Sequence, residues 1–179
     1  MKSNKLIRPL VILLILALNI GCDQVTKSIA RKNLHYYEYR RYFFDHILLT
    51  RVQNTGAFLS LGDSSSGWVK MVFLNILPLL AVVIGLVYIL VKTNLDRVTV
   101  LGIILIIGGG AGNIYDRLTH GSVTDFMHID FVIFQTGIFN VADMSIMAGT
   151  IIILLHAWLK MEPKETPGTE TTGLDEKQS

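Results

Sequence analysis

The chain has little of what a soluble protein relies on. Charged side chains make up only 17% of its 179 residues, and cysteine occurs once, at Cys22. A lone cysteine excludes an internal disulfide and leaves the redox compartment unread. The formal net charge is only +2 and no basic helix is present, so nothing points to nucleic acid as a partner. Two of the four prolines, Pro163 and Pro167, lie in a polar tail, leaving Pro9 and Pro78 as the only ones within the apolar part.

What is present is greasy and ordered. Hydrophobic residues reach 51% and the mean hydropathy is +0.49, too apolar for a soluble globule of this size. Charge is absent from Pro9 to Cys22, from Met71 to Val91 and from Val98 to Tyr115, and from Ile138 to Leu159 only Asp143 carries one. About 20 apolar residues cross a bilayer core, so these runs predict four transmembrane helices, at about 6–24, 69–91, 98–115 and 138–159. The expected fold is an α-helical integral membrane protein with one domain over 1–160. A polar tail over 161–179 is expected to be disordered.

Between the first two helices, about 35–63, lies a segment rich in Tyr, Phe, Ile, Leu, Thr and Val and broken at Asn54-Thr55-Gly56, which reads as short strands with a turn. Tyr36, Tyr37, Tyr39, Tyr42, Phe43 and Phe44 beside Arg40 and Arg41 suit the headgroup layer, either as an anchor or as a platform that receives a lipid or peptide. Positive charge does not decide the orientation. Lys2, Lys5, Arg8, Lys92, Arg97, Lys160 and Lys164 favour cytoplasmic termini, whereas Lys27, Arg31, Lys32, Arg40, Arg41 and Arg51 argue the other way. The basic N-terminus and Gly21-Cys22 are also compatible with a lipoprotein-type signal, although Asn19 stands where such sites want Leu.

An ionised carboxylate in a membrane helix costs roughly 2.5–3.5 kcal/mol or more, so one is kept mainly where it acts. Asp143 is such a residue, and Asp125 lies in Gly121-Ser122-Val123-Thr124-Asp125-Phe126 just upstream of the fourth run. Together they suggest a carboxylate pair working on a substrate in or near lipid. Gly108-Gly109-Gly110-Ala111-Gly112 reads as close helix packing; it lacks the Lys-Ser/Thr ending of a phosphate loop. Asp116 beside Arg117 reads as a satisfied interfacial charge, and Asp23 with Lys27, one turn apart, as an ion pair. Asn75 and Pro78 suggest a kink in the second helix. Two rivals remain: a divalent metal site built from His120, Asp125, His128 and Asp130 with Asp116, and a non-enzymatic adaptor that uses the aromatic segment.

Five motifs point further. Asp23-Gln24-x-x-Lys27, Asn54-x-Gly56-Ala57-Phe58, Gly112-Asn113-x-x-Asp116-Arg117, Gly121-x-Val123-x-Asp125-Phe126 and Phe139-Asn140-x-Ala142-Asp143-x-x-Ile146 occur in this order. The set resembles the signature of bacterial lipoprotein signal peptidases, signal peptidase II. Gly137 departs from it, standing where the family commonly has Pro.

The resemblance implies a four-helix aspartic endopeptidase of the bacterial cytoplasmic (inner) membrane, with both termini cytoplasmic, an extracytoplasmic β-rich segment and a site near the outer leaflet. It implies cleavage of diacylglyceryl-prolipoproteins just before the lipidated cysteine by Asp125 and Asp143, with membrane lipids as further partners and no metal or other cofactor. Asp23, Lys27, Asn54, Gly56, Asn113, Asp116, Arg117, Asn140 and Ala142 are expected to bind substrate or support the dyad. Asn113 and Asn140 can orient the acids, bind peptide backbone or simply cap helix ends, and Arg117 can hold a substrate carbonyl or pair with Asp116. The enzyme is expected to act as a monomer.

Overall fold

The computed structural model describes residues 4–56, 66–131 and 133–161. The Ala57-Phe58 part of the second motif, Asp63 and the tail from residue 162 lie outside them. Four helices are long and apolar enough to cross a membrane: α1 (Asn4–Asn33), α2 (Gly67–Val91), α3 (Arg97–His120) and α4 (Val141–Leu159). Their outward faces carry exposed Leu, Ile, Val, Phe and Trp side chains, as lipid requires.

The helices start and stop for local reasons. In α3, Asp96 caps the first turn by accepting from the Thr99 N–H at 2.9 Å, and Gly121 ends the helix at φ 74°, a left-handed conformation that suits glycine. α4 starts at Val141 rather than 138, because Asn140 is its cap while Phe139 is bridged to Met127 of the adjoining strand. α2 contains one π-helical stretch, Met71–Ile76, just before Pro78, which is the irregularity expected near Asn75 and Pro78. α1 runs to Asn33, well past residue 24, since Asp23 and Lys27 are buried inside the protein rather than placed at a membrane boundary. Cys22 lies within this continuous helix and is exposed.

The sheet is antiparallel, in the order β1 (Arg40–Tyr42), β2 (Ile47–Asn54), β3 (Val123–Phe131), β4 (Phe134–Gln135). It is therefore not confined to the segment between the first two helices: half of its strands follow α3. Both contributing segments emerge at the same end of the bundle. The pairing places Val52 opposite Asp125 and Asn54 opposite Val123. At the β1–β2 turn Phe43 and Phe44 point outward, 74% and 89% exposed, while Tyr36 receives the Arg51 guanidinium at 4.2 Å from its ring centre.

The interior changes character along the bundle. Away from the sheet it is apolar, built on Ile12, Ile89, Ile104 and Ile107. Towards the sheet it becomes polar, with Asp23, Lys27, Asn113, Asp116, Asp125 and Asn140 all buried. α3 and α4 make the most extensive helix contact. Glycines permit it: a Cβ on Gly109 would run into the Ala142 carbonyl oxygen, and one on Gly112 would lie 2.6 Å from Asp23 Oδ2. We expect Gly109→Ala to destabilise the protein by roughly 1–3 kcal/mol through overpacking. Gly21→Ala, with nothing within 4 Å of the added carbon, should be neutral or slightly stabilising. Thermal unfolding in detergent checks this, and equal melting of the Gly109 variant and the parent would refute the packing argument.

Candidate active site

Asp125 sits in the middle of the polar interior because β3 carries it there from the end of α3. It is only 3% exposed. Asn54, from β2, donates its Nδ2 to Asp125 Oδ2 at 2.9 Å, and Asn140, the cap of α4, donates its Nδ2 to Asp125 Oδ1 at 2.6 Å. Burial pushes the carboxyl up to about 6. The Asn54 and Asn140 amides pull the other way, and the nearby charge of Asp143 adds to the rise.

Asp143 is the third residue of α4. It forms a reciprocal capping box with Asn140: the Asp143 N–H donates to Asn140 Oδ1 at 2.9 Å, and the Asn140 N–H donates to Asp143 Oδ2 at 3.2 Å. Its other oxygen accepts from Asn113 Nδ2 at 2.8 Å. Asn140 thus touches both acids, and it also reaches Asn113 Oδ1 at 3.2 Å. Helix capping and orientation of the acids, left as alternatives by the sequence, are both performed by this one side chain.

Behind the acids lies an ionic cluster. Lys27 is fully buried, 2.9 Å from Asp23 Oδ2, 3.3 Å from Asp116 Oδ2 and 2.8 Å from Asn113 Oδ1. Asp23 Oδ1 accepts from the Ala142 N–H at 2.9 Å, in the first turn of α4. Asp116 does not pair with its sequence neighbour Arg117. Its cations are Lys27 and Arg31, the latter at 3.6 Å. Adjacent residues on a helix do not face each other, so α3 turns Asp116 inward towards α1 and Arg117 elsewhere.

Arg117 donates its Nη2 to the Gly56 carbonyl at 2.9 Å, while the Gly56 N–H is held by Asn54 Oδ1 at 2.9 Å. Arg117, Asn54, Asn113, Asp125 and Asp143 all line one cavity of about 460 Å³, whose remaining wall is largely apolar and includes Phe73 and Pro78 from α2. Every expected site residue therefore falls in or next to this region.

Two contributors escape the sequence reading. Thr124 is fully buried, donates its N–H to Asp116 Oδ2 at 3.1 Å, and accepts from Arg31 Nη1 at 3.1 Å. Arg31 itself follows Lys27 by one helical turn, so the face marked by Asp23 and Lys27 could have revealed it. Thr124 has no such signal beyond its place next to Asp125. The histidines behave differently from the metal-site alternative. His120 contacts Thr119 and lies 4.0 Å from Asp116, His46 meets the Asp130 carbonyl, and among the described residues no three His, Cys, Asp or Glu side chains gather as ion ligands.

Comparison with known proteins identifies the family. The family model described as Signal peptidase (SPase) II matches residues 15–159. The lipoprotein signal peptidase of Streptococcus pneumoniae is 39% identical over 163 residues, which cover 90% of this chain and 97% of that protein. The lipoprotein signal peptidase of Solibacter usitatus is 34% identical over 143 residues, covering 78% and 85%. A solved bacterial membrane enzyme superposes with a TM-score of 0.75 at 25% identity, covering 89% of this chain and 94% of that one. A second, at 26% identity, gives 0.73. The chain belongs to the signal peptidase II family, that of the lipoprotein signal peptidases, and is a multi-pass bacterial membrane protease.

Proposed function

We propose that the protein removes signal peptides from diacylglyceryl-modified prolipoproteins, hydrolysing the peptide bond just before the lipidated cysteine with Asp125 and Asp143 as an aspartic dyad. The observation that carries this reading is the placement of two carboxylates of unlike environment, bridged by Asn140, at one largely apolar cavity among membrane helices. Asp125, buried and with its carboxyl pushed up to about 6, suits the acid. Asp143, held by Asn113 and by the positive end of the α4 dipole, suits the base.

The reaction balances without a covalent intermediate. Asp143 takes a proton from water as the water oxygen bonds to the carbonyl carbon, and Asp125 gives its proton to the carbonyl oxygen. Asp143 then passes its proton to the amide nitrogen as the C–N bond breaks, and Asp125 recovers one from the diol. Asn54, Asn113 and Asn140 hold the two acids without adding charge. Lys27, Asp23, Asp116 and Ala142 hold the asparagines and the first turn of α4 from behind. Arg117 and Gly56 shape the cavity, with Arg117 contributing a cation near the cleaved bond.

The reading places the protein in the inner membrane as a monomer, with both termini cytoplasmic and the sheet outside. The structure removes one objection from the charge pattern. Lys27 and Arg31 are engaged in ion pairs within the protein, and Arg51 is held by Tyr36 and by the Arg31 carbonyl, so these cations are occupied by protein partners. Arg8, Lys92, Arg97 and Lys160 lie at the opposite end, the cytoplasmic one on this reading.

The experiment uses purified protein in detergent with a prolipoprotein, with and without diacylglyceryl on its cysteine. Only the lipid-modified form should be cleaved efficiently, since burying acyl chains supplies roughly 0.8 kcal/mol per CH₂. Equal cleavage of the unmodified form would overturn the substrate assignment.

Asp125→Asn and Asp143→Asn should each lower turnover by roughly 10⁴-fold while leaving a folded protein that binds substrate. Asp116→Asn should lose stability, by breaking a buried ion pair, yet keep measurable turnover. Near-normal activity of Asp125→Asn with an inactive Asp116→Asn would show that the pair is wrongly assigned.

A carboxyl raised from 3.8 to about 6 binds its proton more tightly folded than unfolded. Its contribution to stability is complete below about pH 3.8 and is lost as pH rises through 6, by about 3 kcal/mol at most. Between pH 5 and pH 7.5 the melting temperature of the parent should therefore fall relative to that of Asp125→Asn, a comparison in which the other titrating groups largely cancel. Parallel melting curves across that window would contradict a proton held on Asp125.

A further inference from the structure

A second cavity, of about 520 Å³, lies far from the acids, between the first turns of α1 and the start of α3. Its floor is Ile12 and Ile104, both almost completely buried, and Val11 and Leu95 belong to its apolar walls. Two residues break that pattern, Arg8 and Arg97, one from each helix. Neither forms an ion pair with a described carboxylate. Arg8 donates one Nη2 bond to the Lys92 carbonyl at 2.9 Å, and the Arg97 side chain makes no hydrogen bond with a described residue.

The surrounding charge does not compensate them. Among the described residues the nearby acid is Asp96, at the α2–α3 turn, and it is taken by His156 at 2.9 Å, Lys160 at 3.3 Å and the Thr99 N–H and hydroxyl. Lys92 adds a further cation at the same turn. Among the described residues, this end of the bundle therefore combines an apolar groove with two guanidinium groups that no carboxylate neutralises.

We propose that this groove is a binding site for an anionic phospholipid, with one acyl chain lying between α1 and α3 and the phosphate held by Arg8 and Arg97. A water-soluble anion would satisfy the arginines but leave the groove unfilled. A zwitterionic lipid would fill the groove but bring its own ammonium towards two cations. Only an amphiphile with net negative charge matches both halves, and guanidinium groups suit phosphate oxygens through paired N–H donors. Basic pockets between membrane helices hold anionic headgroups for this reason. The site is independent of the acids and stands whether or not Asp125 and Asp143 are the catalytic pair.

The test is native mass spectrometry of the full chain, released from an uncharged detergent after incubation with phosphatidylglycerol or phosphatidylcholine. The parent should retain one phosphatidylglycerol in strong preference to phosphatidylcholine. The double variant Arg8→Gln/Arg97→Gln should bind it roughly 30-fold more weakly, at about 1 kcal/mol per arginine. Because Arg8 also ties α1 to the α2–α3 turn, a second variant leaves both arginines in place. Val11→Trp, at a half-exposed wall position, should fill the groove and abolish retention as well. Prolipoprotein cleavage in detergent should be unchanged in both variants, whereas Arg40→Gln, at the other end, should retain lipid like the parent. Equal retention of the two lipids, or parent-like retention by the double variant, would overturn the proposal. So would a dimer that Val11→Trp dissociates, because the groove would then be occupied by a second copy of the chain.

Discussion

A fully buried lysine ammonium inside a membrane protein is tolerable only if its charge is answered on all sides, and the arrangement around Lys27 follows from that requirement. Removing such a group from water costs several kcal/mol, which nearby anions must offset. Asp23 and Asp116 do so from α1 and α3, and Arg31 supplies the second cation that brings two acids and two bases close to balance. The remaining Lys27 donor goes to Asn113 Oδ1. That oxygen also accepts from Asn140, so the Asn113 amide nitrogen is left facing Asp143. The orientation of a neutral side chain at the candidate active site is thus dictated by an ion cluster one layer behind it. The same cluster grips the first turn of α4 through Asp23 and the Ala142 N–H.

The two acids owe their difference to the elements that carry them. Asp125 rides on a strand paired with β2, where its partners are side-chain amides and its side chain is buried. Asp143 belongs to a helix start, where it accepts from the Asn140 N–H and from the Asn113 amide. Two chemically identical groups are thereby held in different electrostatic settings. Small residues make the convergence possible. Gly109, Gly112 and Ala142 remove the bulk that would otherwise hold α4 away from α3 and α1.

The membrane helices are legible in the sequence because an uncharged run of bilayer length has few stable fates apart from a span in lipid. Their ends are less so. Hydropathy treats Asp23, Lys27 and Asp116 as boundary markers, whereas a charge answered inside the protein lets a helix continue through it, as α1 and α3 do. Motif resemblance draws attention to the site residues but not to how they are paired. Sequence proximity joins Asp116 to Arg117, although its partners come from α1, a segment far away in the chain. The strand at Val123–Phe131 is hard to read because it mixes His and Asp with apolar residues, and because its pairing partner lies before α2. Long-range pairing of this kind leaves no periodic trace within either segment.

The capping box at the head of α4 has a consequence for how the protein tolerates change. Asp143 is at once a candidate for proton exchange and a hydrogen-bond acceptor that closes the first turn of its own helix. Whenever its charge is neutralised, that turn loses part of what holds it, and the carbonyl of Ala142 packed on Gly109 is next in line to shift. A substitution there cannot be read as a purely chemical deletion, nor one at Asn140 as a purely mechanical one. The proposed proton exchange and helix initiation share the same atoms, so drift in one is constrained by the other.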